Sequence, residues 1–190
     1  MSMEHNENSP VLVNPELTCP PEILKSQVAL PVTYFGFDHQ ANRGTIEVHF
    51  AVADDVKAFF ELANNIQFPI EKVVPASDPA YKWDDDKLMA SNVSSGFNYR
   101  LVAGTNQVSL HGRGLAFDIN PQQNPYIRYK NGEVVVAPAG ATWDNTKPGT
   151  LFSNHPLVVF MLERGWEWGG DWTEQSGRID YQHFQKPLTT

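Results

Sequence analysis

Three donor side chains, far apart in sequence, set the strongest constraint on how this chain can fold. His111 and Asp118 lie in the run Ser109-Leu-His-Gly-Arg-Gly-Leu-Ala-Phe-Asp118, and His183 closes the run Asp180-Tyr-Gln-His183. Two imidazoles and a carboxylate are the donors that a catalytic Zn²⁺ takes, with three protein ligands leaving the fourth tetrahedral position open. A fold that uses them must bring the two runs together. Asp180, three residues before the last donor, is then set to accept a proton from an attacking water. The expectation is one Zn²⁺ per chain, held by His111, Asp118 and His183.

The pattern around the first run supports this over a chance spacing. Leu115, Phe117 and Ile119 alternate with Ala116, Asp118 and Asn120, the period of a half-buried strand. Asp118 therefore leaves the strand on the face opposite the apolar residues. Gly112 and Gly114 suit a tight turn that folds His111 back towards Asp118.

What the chain lacks excludes a thermolysin-type site and weakens the serine and cysteine hydrolase readings. It has no HExxH and no G-x-S-x-G, and its single cysteine, Cys19, lies in a Pro-rich stretch remote from the histidine motifs. One cysteine allows no intrachain disulfide and no cysteine-based zinc site. With 14 Lys and Arg against 22 Asp and Glu, the net charge is -8, which argues against a nucleic-acid partner. No apolar run approaches the ~18 residues of a membrane span. Residues 1–10 are polar, with neither a basic stretch nor an apolar one, so no signal peptide is expected.

Residues 1–27 read as an N-terminal tail or extended lead-in, and 28–190 as one domain, expected to be a monomer. Residues 28–37 read as an edge strand interrupted by Pro31. Ile46, Val48 and Phe50 alternate with Glu47 and His49, predicting a second strand with a polar face on which His49 is structural. Val52, Val56, Phe59, Phe60 and Ala63 follow helical spacing, and 68–74 reads as a short strand. A helix is predicted over 84–90 and a strand through Phe97, Tyr99 and Leu101, with Arg100 on the face opposite the aromatic pair. Asn131-Gly132 predicts a hairpin of 126–129 against 134–137. Ser153 or Asn154 is read as the cap of a helix with Pro156 in its first turn and Gly165 at its end, leaving His155 structural. Trp166 is read as core. Trp168 and Trp172 are read as walls of a substrate groove, opened by Gly169-Gly170.

Ser109, His111, Gly114, Ala116 and Asp118 match the S-x-H-x-x-G-x-A-x-D signature, and Asp180 with His183 the second motif, of a known family. The chain thereby resembles the D-alanyl-D-alanine carboxypeptidase family of zinc peptidases, within the LAS group that also holds lysostaphin-like enzymes and the hedgehog signalling domain. Ser95-Gly-Phe-Asn-Tyr-Arg100, Ile119-Asn-Pro, Asn124-Pro-Tyr and Trp166-Glu-Trp-Gly-Gly-Asp-Trp172 extend the likeness over roughly residues 84–184. This combination is most similar to the branch that cleaves L-alanyl-D-glutamate bonds in peptidoglycan stem peptides, in bacterial wall hydrolases and phage endolysins.

The resemblance implies an α+β fold: a small antiparallel sheet carrying the zinc ligands, with helices packed on one side. It implies Asp180 as general base and Arg100 as the cation on the scissile carbonyl oxygen. It also implies Ser109, Trp168, Trp172 and Arg113 as substrate contacts, Arg113 being a departure where smaller or aromatic residues are common. The expected partner is the peptidoglycan stem peptide, reached by lysis or a non-classical export route. An L-Ala-D-Glu endopeptidase, a carboxypeptidase removing terminal D-Ala and a catalytically silent zinc-binding domain all stay open.

Overall fold

The chain is described by a computed structural model over residues 17–102 and 105–188. Helix α1 (Pro21–Lys25) opens on a proline, which suits a first helical turn because its missing N–H would have no partner there. The later part of the expected lead-in is thus a short helix, and residues 1–16 lie outside the described residues. Strands β1 (Gln27–Phe35) and β2 (Ala41–His49) form an antiparallel hairpin with Pro31 in β1 as predicted. Phe50, predicted as the end of β2, instead enters a short 3₁₀ turn and is exposed. Its turn is capped by His49, whose Nδ1 accepts from Ala51 N at 3.1 Å, so His49 is structural.

Helix α2 (Ala53–Asn65) buries Val56, Phe59, Phe60 and Ala63 against Val32, Tyr34, Ile46 and Val48 of the hairpin. After it the backbone is irregular. Of the predicted strand over 68–74, only β3 (Lys72–Val73) forms, paired in parallel with β4 (Val93–Ser94). Phe68 N is spent on Ala63 O at the helix end and Ile70 N on Phe35 O, while Pro69 has no N–H to give, so no ladder can form there. Between β3 and β4 lies α3 (Asp85–Ala90), capped by the Asp84 carboxylate on Lys87 N at 3.1 Å.

The strand predicted through Phe97 to Leu101 is absent. Phe97 N bonds Glu47 O, Asn98 N bonds His111 O, and Arg100 O takes Ser109 N. Those backbone groups serve separate partners and make an extended connector rather than one side of a ladder. Strand β5 (Ala116–Asp118) follows, then the hairpin β6 (Tyr126–Lys130) and β7 (Glu133–Ala137), turning on Asn131 and Gly132, both at positive φ. Helix α4 (Pro156–Leu162) is capped by His155 Nδ1 on Leu157 N at 3.2 Å, where Ser153 or Asn154 was predicted. An imidazole nitrogen accepts as a serine oxygen would, and burial holds the His155 pKa down to about 4, which keeps it neutral and accepting.

Strands β8 (Glu167–Trp168), β9 (Arg178–Asp180) and β10 (His183–Gln185) complete two three-stranded antiparallel sheets, ordered β5-β10-β8 and β7-β6-β9. Phe117 of β5 and Phe184 of β10 stack at 5.2 Å, and Phe59 of α2 meets both edge-on. Leu157, Val158 and Met161 of α4 share that core. The architecture is mixed helix and small sheets, with α2 and α4 on the apolar side of β5-β10-β8. No helix of the described residues is long and apolar enough to cross a membrane.

Glu47 departs from its sequence reading. Predicted on an open polar face, it is 5 % exposed, and its Oε2 is buried with no hydrogen-bond partner among the described residues. Burial pushes its pKa up to about 7. A carboxyl raised in the folded chain favours folding below its unfolded pKa of about 4.3 and loses that advantage as pH rises towards 7. Stability is therefore expected to fall by about 3 kcal/mol between pH 4.5 and pH 7 on account of this group. Glu47→Gln should remove that dependence, raising thermal stability at pH 8 and leaving it unchanged near pH 4. Equal stabilisation at both pH values would show that the effect lies in packing.

Candidate metal centre

The pairing of β5 with β10 sets His183 directly opposite Asp118, Phe184 opposite Phe117, and Gln185 opposite Ala116. Side chains alternate across a strand, so with the phenylalanines in the core, Asp118 and His183 leave on the other face. The ladder bond from Ile119 N to Gln182 O falls on the neighbouring pair. Asp118 and His183 are then a non-hydrogen-bonded pair, the kind in which side chains come closest. Two donors 65 residues apart meet because of strand register alone.

The third donor comes from a turn. His111–Arg113 form one 3₁₀ turn, ended by Gly114 at φ +70°, and Ser109 Oγ accepts from Gly112 N at 2.9 Å to hold it. A Cβ at Gly114 would meet the His49 backbone N at 2.6 Å, so the left-handed turn and the close approach both demand glycine. The turn folds His111 back over β5, as its spacing predicted.

The donor groups converge in a triangle, one ligand atom from each residue lying within 4.8 Å of the other two. His111 Nε2 lies 3.1 Å from His183 Nδ1 and 3.2 Å from Asp118 Oδ2, and His183 Nδ1 lies 3.0 Å from Asp118 Oδ1. Tetrahedral ligands at the ~2.0–2.1 Å bond lengths of zinc stand about 3.3 Å apart. The outer nitrogens fix the tautomers. His111 Nδ1 lies 2.8 Å from Gly96 O, a carbonyl that can only accept, so the proton sits on Nδ1 and the Nε2 lone pair faces inward. His183 Nε2 lies 3.1 Å from Gln185 Oε1, and Gln185 Nε2 donates to Glu167, which leaves the His183 Nδ1 lone pair inward too. Two nitrogen lone pairs and a carboxylate converge with no hydrogen between them in these tautomers. A cation resolves that arrangement, so the donor set fits Zn²⁺.

The three donors also act on one another's charge. Burial raises the cost of charging Asp118, but the His111 and His183 rings outweigh it and hold its pKa well below the usual carboxylate range. Burial opposes a charge on His183, while the bond to Asp118 moves its pKa up. Asp180 behaves differently. Its Oδ1 is buried with no partner among the described residues, and burial, reinforced by the Asp118 charge and opposed by His183, lifts its pKa to about 7. It stands close enough to the cluster to feel its charges without being one of the three grouped donors.

The remaining predicted residues divide. Arg100 carries its guanidinium on Asp85, Nη2 to Oδ2 at 3.1 Å, with Nε buried and unpartnered among the described residues. Trp172 is half-buried, with its ring 5.5 Å from that of His183. Trp168 is no groove wall: it is 2 % exposed in the core, and its indole N–H donates to Tyr181 O at 2.9 Å. Nor does Gly169-Gly170 open the backbone for a peptide. A Cβ at Gly170 would strike the Trp168 ring, and one at Gly169 would lie 2.5 Å from Asp180 O. The pair is there so that tryptophan and Asp180 can pack against the chain. Ser109, predicted as a substrate contact, has its Oγ committed to the His111 turn. Arg113 is exposed on that turn, and among the described residues only its backbone has hydrogen-bond partners.

Sequence reasoning missed Gln185 and Gly96, which orient the two imidazoles. Gln185 was legible in principle, since it lies two residues after His183 and thus on the same strand face. Gly96 acts through its carbonyl, which no residue type advertises.

No curated protein and no solved structure matches the chain. Residues 103–186, the span that holds His111, Asp118, Asp180 and His183, match the model of a family described as D-alanyl-D-alanine carboxypeptidase.

Proposed function

We propose that the chain is a zinc-dependent peptidoglycan hydrolase that cuts the stem peptide at the L-Ala-D-Glu bond. The observation that carries this reading is the triangle of inward donors, their nearest atoms 3.0–3.2 Å apart, with the buried Oδ1 of Asp180, without a partner among the described residues, beside it. A purely structural zinc site takes four protein ligands and needs no base. When bound by His111, Asp118 and His183, Zn²⁺ supplies Lewis acidity and makes water acidic enough to attack near neutral pH.

The chain's own residues do the rest. Asp180 takes the proton of the attacking water on its carboxylate and returns it to the leaving amine. Arg100, with one arm on Asp85, offers its Nε–H to the oxygen that becomes negative as the carbonyl is attacked. Trp172 supplies an apolar wall beside His183. The substrate lies in the cell wall, and delivery follows lysis or a non-classical route.

The family description favours a second reading, a carboxypeptidase that releases terminal D-Ala. Mass spectrometry of purified muropeptides after digestion separates the two. The expected products are disaccharide-L-Ala and a peptide beginning with D-Glu. Free D-Ala with the L-Ala-D-Glu bond intact would establish the carboxypeptidase instead, and unchanged muropeptides would sink both.

A further inference from the structure

Strand β9 carries Asp180 and, two residues before it, Arg178, so both side chains leave the sheet on one face. Across the ladder to β6, Asp180 faces Tyr126 and Arg178 faces Arg128. The ladder bonds Tyr129 N to Gly177 O and Tyr181 N to Pro125 O fall on the flanking pairs. That makes Arg128 and Arg178 a non-hydrogen-bonded pair, with Cα atoms ~4.5 Å apart and side chains at their closest. Two arginines therefore leave the sheet from directly opposed positions on the face of Asp180.

Like charges opposed in this way repel. In a chain of net charge -8 with 22 acidic residues, neither arginine has an acidic partner within ion-pair distance among the described residues. Both are exposed. Arg178 lies instead over the Trp172 ring, its guanidinium carbon 4.6 Å from the centroid, and Trp172 in turn abuts His183. A cation over an aromatic ring is held there without using its N–H groups as an ion pair would, so they stay available to an anion. A pair of forks with no protein anion, anchored through one aromatic ring to a metal ligand, matches a carboxylate that arrives with the substrate.

We propose that Arg128 and Arg178 form the subsite for a carboxylate of the substrate, on the Asp180 side of the metal ligands; the proposal rests on the peptidase reading above. A stem peptide offers that group from two sources, the free α-carboxylate of D-Glu and the carboxylate at the peptide's end. Their chemistry is the same, and amidation removes either one separately.

The test measures kcat and KM for three synthetic stem peptides, one with both carboxylates free, one amidated at D-Glu and one amidated at the C-terminus. Wild type is compared with the double variant Arg128→Gln, Arg178→Gln. One amidation is expected to raise the wild-type KM about tenfold or more with little change in kcat, and it identifies the carboxylate bound. The double variant should show that higher KM on all three peptides, with wild-type zinc content and a melting temperature no lower than wild type, since a repulsive pair has been removed. Equal KM for the three peptides on wild type, or discrimination that survives in the double variant, overturns the proposal and leaves the peptidase reading standing. If wild type cuts none of the peptides, that reading falls separately. Calorimetric titration of the same peptides into zinc-loaded protein then decides: affinity that depends on a carboxylate and is lost in the double variant upholds the subsite, and any other result overturns it.

Discussion

Asp180→Ala is expected to keep about one zinc per chain and to lose roughly 10²- to 10⁴-fold in turnover, the usual contribution of a positioned general base. The two halves of that result test different statements. Zinc retention follows because the donor triangle consists of His111, Asp118 and His183, and Asp180 is outside it. Loss of rate follows because the Asp180 carboxylate stands beside the cluster with its buried Oδ1 committed to no other group of the described residues. Metal content by elemental analysis and turnover on muropeptides should be measured on the same preparation. If zinc is lost along with activity, Asp180 is a ligand and the roles must be redrawn. If zinc and rate both survive, another group is the base.

Replacing any one of His111, Asp118 or His183 with alanine is expected to abolish both zinc retention and activity, since each is a third of the ligand set. The loss should also appear in stability. A ligand that binds only the folded chain stabilises it by about 4 kcal/mol at a thousandfold excess over its Kd, which for a chain of this size is on the order of 10 °C in melting temperature. Wild type should therefore melt higher with zinc than after chelation, while the three variants should melt alike in both conditions. A zinc-dependent shift of wild-type size in all three variants would show that the metal binds elsewhere.

The site was more legible than the fold around it. His111, Asp118, Asp180 and His183 are spaced so that a turn and three strands bring them together, and alternation alone assigns Asp118 to the face away from Phe117. The connector through Phe97 to Arg100 was misread because its alternation is real while its hydrogen-bond partners are spread over β2, the His111 turn and Ser109. Periodicity reports which side chains are buried and is silent about where the backbone bonds go. Trp168 was misread for a related reason. Glycines beside a tryptophan signal close approach, and sequence does not say whether the approaching group is a ligand or the tryptophan itself. Arg128 and Arg178 were overlooked because their opposition exists only in the register of β6 against β9.

Gly169 and Gly170 join the hydrophobic interior to the reaction. Gly169 is pressed by the backbone of Asp180 and Gly170 by the ring of Trp168, with no side chain between to absorb a displacement. A bulkier residue at Gly169 must displace the strand that carries the base, and one at Gly170 must displace the Trp168 ring. Tolerance to mutation should therefore be uneven in a way unrelated to chemical function. Here residues without any reactive group are as constrained as the metal ligands, and an enzyme altered there would stay folded and loaded while running slowly.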